Sequence, residues 1–363
     1  MNTWPELRTV PAAMTAVTFR EHGGPDVLQP EVLPVPRLGG DEVLVQVAAV
    51  AVGRLLDLAA RAGTHPYAKF SFPHVLGAEH SGVVAAVGRA VTSVKVGDRV
   101  AGFPVITCGT CRQCVAGRDE LCQTLEIIGT HRPGAYAEYV SVPASNLHLV
   151  PDGLDPIEAV ALALGPAVAM NQLRRAGMKA GDWVVVQAAT SALGSVTAAL
   201  AQHLGAHVIV TSRDEDKRKR LSGLGFAHVL DGTRPEFPDE VRSLSEGGAQ
   251  VVVDNIGDPD LWRNSQLALA PGGIVVSSGA FAGHDVPVDL KRLYSLGQSV
   301  IGVRTGNRES SRLAWAEVGR GFRAPATTTF ALSEAAAAHQ FLEKDLNVGR
   351  VALVVGAELS DGS

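Results

Sequence analysis

Residues 183–213, WVVVQAATSALGSVTAALAQHLGAHVIVTSR, constrain the fold more than any other stretch of this chain. The apolar run Trp183 to Val186 has the length of a buried strand. Small residues follow, Ala188-Ala189-Thr190-Ser191-Ala192. An apolar-periodic run from Leu193 to Leu204 reads as a helix closed by Gly205, and a second apolar run, His207 to Thr211, stops at Ser212 and Arg213. Strand, tight turn, helix and strand make a βαβ unit. Small residues at the turn let the backbone come close to a pyrophosphate, and the first N–H groups of the helix then face its oxygens. This makes Ala189, Ser191, Ala192, Leu193 and Gly194 candidate dinucleotide contacts. The glycine fingerprint G-x-G-x-x-G is degraded, because Ala189 and Ser191 hold the first two glycine positions and only Gly194 the third. Taken alone, the stretch also fits an ordinary buried turn, so the rest of the chain has to decide.

At 363 residues the chain is too long for one typical domain and comfortable for two. A formal net charge of -5 and a pI near 6.1 leave no footprint for nucleic acid or an anionic membrane. No apolar run approaches the roughly 18 residues of a membrane span. The N-terminus MNTWPELRTVPAAM lacks the basic and apolar regions of a secretory signal, so a cytoplasmic protein is the default expectation. Residues 1–13, with Pro5 and Pro11, read as an extension that need not be ordered.

From Met14 the pattern is β-rich. Short apolar runs (Met14–Phe19, Glu42–Val50, Ser81–Val87) alternate with turn clusters such as Gly39-Gly40-Asp41 and Val96-Gly97-Asp98, as in a small barrel or sandwich. This part ends near Pro151-Asp152-Gly153. A helical stretch, Asp155 to Ala176, leads into the βαβ unit. Apolar runs then recur at Val229–Leu230, Val251–Val253, Ile274–Ser277 and Val300–Val303, mostly with helical segments between them. With the two opening strands they predict a six-stranded, doubly wound parallel sheet. The tail from Ala324 mixes a β run, a helix over Ser333 to Lys344 and a last strand, Val351 to Val355.

All four cysteines fall in one window, Cys108, Cys111, Cys114 and Cys122, spaced C-x2-C-x2-C-x7-C. Four thiolates close together in a reducing compartment point to one tetrahedral, structural zinc per chain. Such a site has no open coordination position and does no chemistry. An iron–sulfur cluster uses the same donor set. Disulfides are disfavoured in that compartment.

A cysteine cluster inside a β-rich region, placed before a βαβ unit, resembles the medium-chain dehydrogenase/reductase superfamily of zinc alcohol dehydrogenases and zinc-free quinone oxidoreductases. Further matching segments are Val96-Gly97-Asp98-Arg99-Val100, Gly134-Ala135-Tyr136-Ala137-Glu138-Tyr139, Asp254-Asn255-Ile256-Gly257, Ala270-Pro271-Gly272-Gly273, Ile301-Gly302 and Gly349-Arg350-Val351. The resemblance covers nearly the whole chain from Met14. It implies an α/β protein with a GroES-like catalytic domain over 14–151, completed by 324–363, and a Rossmann domain over 152–323. The active site is then expected in the cleft between them. It also implies cofactor contacts at Asn255, Gly279 and Arg350, and a homodimer.

Departures from the zinc enzymes are informative. Catalytic zinc in that family is held by a Cys three residues before an Asp, by the His of Gly-His-Glu, and by a third Cys or Asp. Here the Asp is Asp57, but the Cys position is Arg54. The second motif reads Gly77-Ala78-Glu79, and the third position falls near Leu164. Arginine, alanine and leucine are not ligands, so no catalytic zinc is expected, although Glu79 and His80 offer donors for an irregular site. Arg54 either polarises a substrate carbonyl or binds a carboxylate with its planar fork, or else pairs with Asp57 or Glu79. His80 is a candidate proton donor or a packed core histidine. Tyr67, His131 and Asn171 are candidates for the substrate pocket by the same resemblance.

At the end of the second strand Ser212 stands where an NAD enzyme carries an acid, followed by Arg213 and Lys217. A hydroxyl with cations suits the 2′-phosphate of NADPH, while Asp214 and Asp216 leave NADH in play. The leading expectation is an NADPH-dependent reductase of a C=C bond conjugated to a carbonyl, in a small enone, quinone or related compound. The alternatives are a metal-free carbonyl/alcohol oxidoreductase and a nucleotide-binding protein with non-redox chemistry.

Overall fold

In the computed structural model, residues 3–66, 68, 70–325 and 327–356 are described. They divide into two compact units, one within 1–164 and 326–363, the other within 165–325.

The first unit is built on the strand Glu42–Val52, of sequence EVLVQVAAVAV, whose residues after Glu42 are all buried. A strand covered on both faces carries a near-continuous apolar run, as this one does. It pairs antiparallel with His80–Val87, with Tyr139–Pro143 along its first half and with Arg350–Val354 along its second. Thr327–Ala331 runs parallel to Arg350–Val354, so the C-terminal tail completes this sheet. On one face the strand joins a core with Phe19, Leu76, Tyr136, Leu342 and Leu353. On the other, Ala49, Ala51 and Ala352 are small enough to seat Ile157 and Val160 of the helix Pro156–Ala161. A three-stranded sheet, Gln29–Pro34, Ala13–Phe19 and His74–Val75, closes the unit.

Residues 3–12 form no regular element but are held. Trp4 Nε1 donates to Leu154 O at 2.9 Å, and the Gln46 amide bonds Glu6 O at 3.2 Å and Arg8 N–H at 3.3 Å.

The helical stretch expected over 155–176 is two helices, Pro156–Ala161 and Gly165–Arg175. The first opens with a capping box between Asp155 and Glu158. A helix cannot run on through Pro166, which has no N–H to give and whose ring crowds the preceding turn. The boundary between the two units falls at this break.

The second unit is a sheet of six parallel strands: Trp183–Val186, His207–Thr211, His228–Leu230, Ala249–Val253, Leu269–Ser277 and Ser299–Gly302. Numbered along the chain, their spatial order is 3-2-1-4-5-6, the Rossmann order. Helices Phe237–Leu244 and Pro259–Leu267 bring Phe237, Val241 and Trp262 onto Val185, Ile209 and Val252. Helix Gly165–Arg175 packs with Ala192–His203 and with Arg308–Gly319. Among the described residues no helix is long and apolar enough to cross a membrane.

Candidate active site and cysteine cluster

The tight turn after Trp183–Val186 keeps its shape without the first two glycines. Ala188 takes φ +50°, a left-handed conformation that costs a side-chain-bearing residue energy. Ser191 caps the helix Ala192–His203, its Oγ accepting Gly194 N–H at 3.0 Å. A Cβ on Gly194 would sit 2.6 Å from Ala188 O and 2.9 Å from Ala189 Cα, so the retained glycine is the one that lets helix and strand touch. Ala192 and Leu193 are part-exposed at the helix start, with their N–H groups outside the helical ladder.

At the end of His207–Thr211 the acids and bases divide their work. Asp214 caps the helix Glu215–Gly223, accepting Lys217 N–H at 2.8 Å, which holds its carboxyl below the usual range. Arg218 donates to Ser212 O at 2.8 Å and Arg213 O at 3.0 Å, and so fixes this turn. Ser212 Oγ accepts Asp214 N–H at 3.3 Å, which leaves its own proton to donate. Arg213 is exposed, and its guanidinium has no ion-pair partner among the described residues. Asn255 braces the site from the neighbouring strand, its Oδ1 accepting Gln172 Nε2 at 2.8 Å and Ser278 N–H at 2.7 Å. Gly279 lies against it, with room for a Cβ only 3.0 Å from Asn255 O. Asn171 is buried and donates to Thr305 O at 2.7 Å.

In the first unit, the segments carrying positions 54, 78 and 164 are tied together by hydrogen bonds. Asp57 accepts Gly53 N–H at 2.7 Å and Gly77 N–H at 3.0 Å. Glu79 accepts Leu164 N–H at 3.1 Å, an amide freed by the helix break before Pro166. Glu79 is also ion-paired with Arg350, and both are nearly buried. Burial pushes the Asp57 carboxyl up to about 7 against the pull of its two N–H donors and the Arg350 charge. Burial likewise lowers Arg350 to about 10, with Asp57 opposing.

Arg54 does not pair with Asp57 or Glu79. Its guanidinium reaches Asp345 Oδ1 at 2.9 Å and Asn347 Oδ1 at 3.4 Å, in the loop before the last strand. The pairing forecast for Arg54 is therefore corrected in its partner, because the tail folds back beside residue 54. His80 is fully buried in a central strand, and a Cβ on Gly102 across the sheet would overlap its ring. Desolvation lowers its pKa to about 4, so the imidazole is neutral at pH 7. His131 is exposed, its Nδ1 accepting Ile127 N–H at 3.1 Å. Tyr67 lies outside the described residues. Sequence reasoning missed Asp345 and Asn347, which no local pattern connects to residue 54, and missed the partnership of Arg350 with Glu79.

The four cysteine sulfurs all lie within 4.8 Å of one another. The sulfur–sulfur separations are 3.5 Å for Cys111–Cys114, 3.6 Å for Cys108–Cys122 and 3.9 Å for Cys108–Cys114. A tetrahedron with Zn–S bonds of about 2.3 Å has edges of about 3.8 Å, so the sulfurs fit zinc. They are too far apart for disulfides, whose S–S bond is about 2.05 Å. Cys108 N–H points at Cys122 Sγ and Cys111 N–H at Cys108 Sγ, as donors to thiolates do. Among the described residues this is the one group of three or more His, Cys, Asp or Glu side chains arranged to hold a metal.

Two families match the chain: the alcohol dehydrogenase GroES-like domain over residues 39–152 and the zinc-binding dehydrogenase over residues 192–320. L-galactonate-5-dehydrogenase of Escherichia coli K12 is 33% identical over 69% of this chain and 72% of its own length. The structure of an NAD-dependent alcohol dehydrogenase superposes with a TM-score of 0.88 at 36% identity, covering 94% of this chain and all of the other. A crotonyl-CoA carboxylase/reductase superposes at 0.87 with 26% identity, over 99% of this chain and 92% of its own.

Proposed function

From the premise that this chain belongs to the medium-chain dehydrogenase/reductase superfamily and is an oxidoreductase of it, we propose an NADPH-dependent reductase of conjugated C=C bonds that works without a catalytic metal. The observation that carries this reading is the replacement of the three ligand positions. Arg54, held through Nη2 by Asp345 and Asn347, is donor-only and has no lone pair for a metal, Ala78 has no donor atom, and Leu164 contributes only its backbone N–H, to Glu79. Glu79 is in turn held by Arg350, and His80 is buried under Gly102. What remains is a set of fixed charges.

When bound, the dinucleotide would supply a hydride for the β-carbon of the substrate, with water supplying the proton that the α-carbon takes up. The chain's own groups bind and orient. The capped turn presents the Ala192 and Leu193 N–H groups to the pyrophosphate. Ser212 Oγ and the exposed Arg213 receive the 2′-phosphate, while the capping duty of Asp214 keeps its charge from the ribose. Negative charge develops on the carbonyl oxygen as the double bond is reduced, and a preorganised cation stabilises it. Arg54 is that cation, aimed by Asp345 and Asn347. By family resemblance alone, Asn171, His131 and Tyr67 are proposed to contact substrate. The cysteine cluster holds one zinc and takes no part in turnover. A homodimer is assigned through the sheet edge at Ser299–Gly302, where Val300 is exposed.

The test is to follow cofactor absorbance with NADPH or NADH against enones, quinones, a 2-enoyl thioester and aldehydes, with metal analysis alongside. Turnover of conjugated substrates with NADPH and about one zinc per chain is expected. About two zincs per chain, or turnover of alcohols and aldehydes alone, would overturn it. The second outcome is the rival reading, a carbonyl/alcohol dehydrogenase, and the names of the relatives favour it. Tight NADPH binding with no redox turnover of any substrate would point to non-redox chemistry.

A further inference from the structure

Four buried polar side chains lie beneath the dinucleotide turn: Gln187, Thr211, Asp254 and Ser265. They come from the ends of three strands and from the helix Pro259–Leu267, and they form one unbroken chain. Ala188 N–H lies 3.1 Å from Thr211 Oγ1, which lies 2.6 Å from Gln187 Oε1. Gln187 Nε2 lies 3.1 Å from Ser265 Oγ, which lies 2.9 Å from Asp254 Oδ2. The other Asp254 oxygen accepts Ile256 N–H at 3.0 Å and Gly257 N–H at 3.3 Å.

The two ends dictate the direction of every bond between them. An ionised carboxylate can only accept, so Ser265 gives its proton to Asp254 and must accept from Gln187 Nε2. That orients the amide, with Nε2 toward Ser265 and Oε1 toward Thr211. Thr211 then gives its proton to Gln187 Oε1, and its Oγ1 accepts the Ala188 N–H. All donors point toward one buried charge, and bonds aligned in this way strengthen one another.

We infer that Ser265 is a positioning residue for the dinucleotide turn, joining it through this chain to the turn at Asp254–Gly257. The inference rests on the nicotinamide-cofactor reading above. Ala188 stands in a left-handed conformation, and Thr211 Oγ1 is the partner of its N–H. The grip on that alanine is only as firm as the orientation of Thr211, which Gln187 sets and Ser265 sets in turn. Ser265 itself is fully buried in the helix Pro259–Leu267, so it acts on the turn through Gln187. The second turn carries Asn255, so the chain ties two cofactor-facing loops into one rigid piece.

The experiment compares NADPH affinity of the parent, Ser265→Ala and Thr211→Val, with Val241→Ala as a core control outside the chain. Each is measured by fluorescence titration at a temperature where it is fully folded. The expected result is about tenfold weaker binding for Ser265→Ala and Thr211→Val, a raised KM for NADPH with kcat little changed, and unchanged binding for Val241→Ala despite its lower Tm. The double variant should bind no worse than the weaker single one, because both cut one chain. Ser265→Ala binding within twofold of the parent, with only its Tm lowered, overturns the inference. If Ser265→Ala does not fold, the isosteric Thr211→Val decides alone by the same criterion. A parent that binds neither NADPH nor NADH overturns the cofactor reading and this inference together.

Discussion

On the proposed reading, Arg54 turns a metal-ligand position into a cationic one. A thiolate holds a metal; a guanidinium cannot, but it carries a permanent charge and a planar fork. Here two oxygens of the tail loop, from Asp345 and Asn347, aim that fork. Arg54→Met should lower kcat on the order of a hundredfold, as loss of one preorganised donor does. NADPH affinity and the far-ultraviolet spectrum should be unchanged; loss of Tm with turnover intact would make Arg54 purely structural. Ser212 and Arg213 permit a second substitution test. Ser212→Asp with Arg213→Ala removes the charge-assisted contacts to a 2′-phosphate and offers an acid to a ribose hydroxyl. Preference, taken as the ratio of kcat/KM for the two coenzymes, should shift toward NADH by at least about tenfold. An unmoved ratio would reject the assignment.

At the level of elements, the loop over 108–122 would, on the proposed reading, depend on its zinc more than on its packing. It holds only a short helix, Arg112–Val115, and one turn, Asp119–Leu121, and among its cysteines only Cys122 is buried. Zinc bound there would therefore double as local folding energy. Cys122→Ser should leave the protein with less than one zinc per chain and make this loop the first target of limited proteolysis, with NADPH binding retained. A loop as resistant as the parent's after zinc loss would contradict this. The helix break at 162–164 is of the opposite kind, written by Pro166 into the covalent chain. It frees the Leu164 amide, and Glu79 takes it.

Over the whole molecule, burial of ionisable groups governs how stability follows pH. His80, His148 and His339 are held neutral, at about 4, about 4 and about 3, against about 6.5 when unfolded. Burial is the first cause in each; at His339 the Arg61 guanidinium adds to it, donating to Nδ1 at 3.4 Å. A group whose folded pKa is depressed in this way is stabilising when neutral. The contribution is complete above pH 6.5 and is lost as pH falls toward 4, because the unfolded chain takes up the proton first. Asp57 runs the other way. Raised to about 7, it contributes most below pH 4 and loses that contribution as pH rises through 7. Three histidines against this carboxyl should make the protein less stable at pH 5 than at pH 7.5, with Tm lower by roughly 5 °C. His339→Gln should narrow the gap, and an equal or higher Tm at pH 5 would refute the account.

The strand and helix pattern of 183–302 was legible because apolar period and turn residues act over a few positions, and they survive any tertiary context that buries them. The cysteine cluster was legible for the same reason, since ligand spacing is local. Asp57, Glu79 and Arg54 were locatable as positions but not as partners. Arg54 meets residues 345 and 347, Glu79 meets residue 350, and Ser265 meets Gln187 across a sheet. Periodicity and spacing determined which elements form and which atoms can bind a metal. The tertiary structure alone decided which charges meet, because electrostatic and hydrogen-bond partners are set by distance in space, and residues far apart along the chain acquire that distance only when it folds.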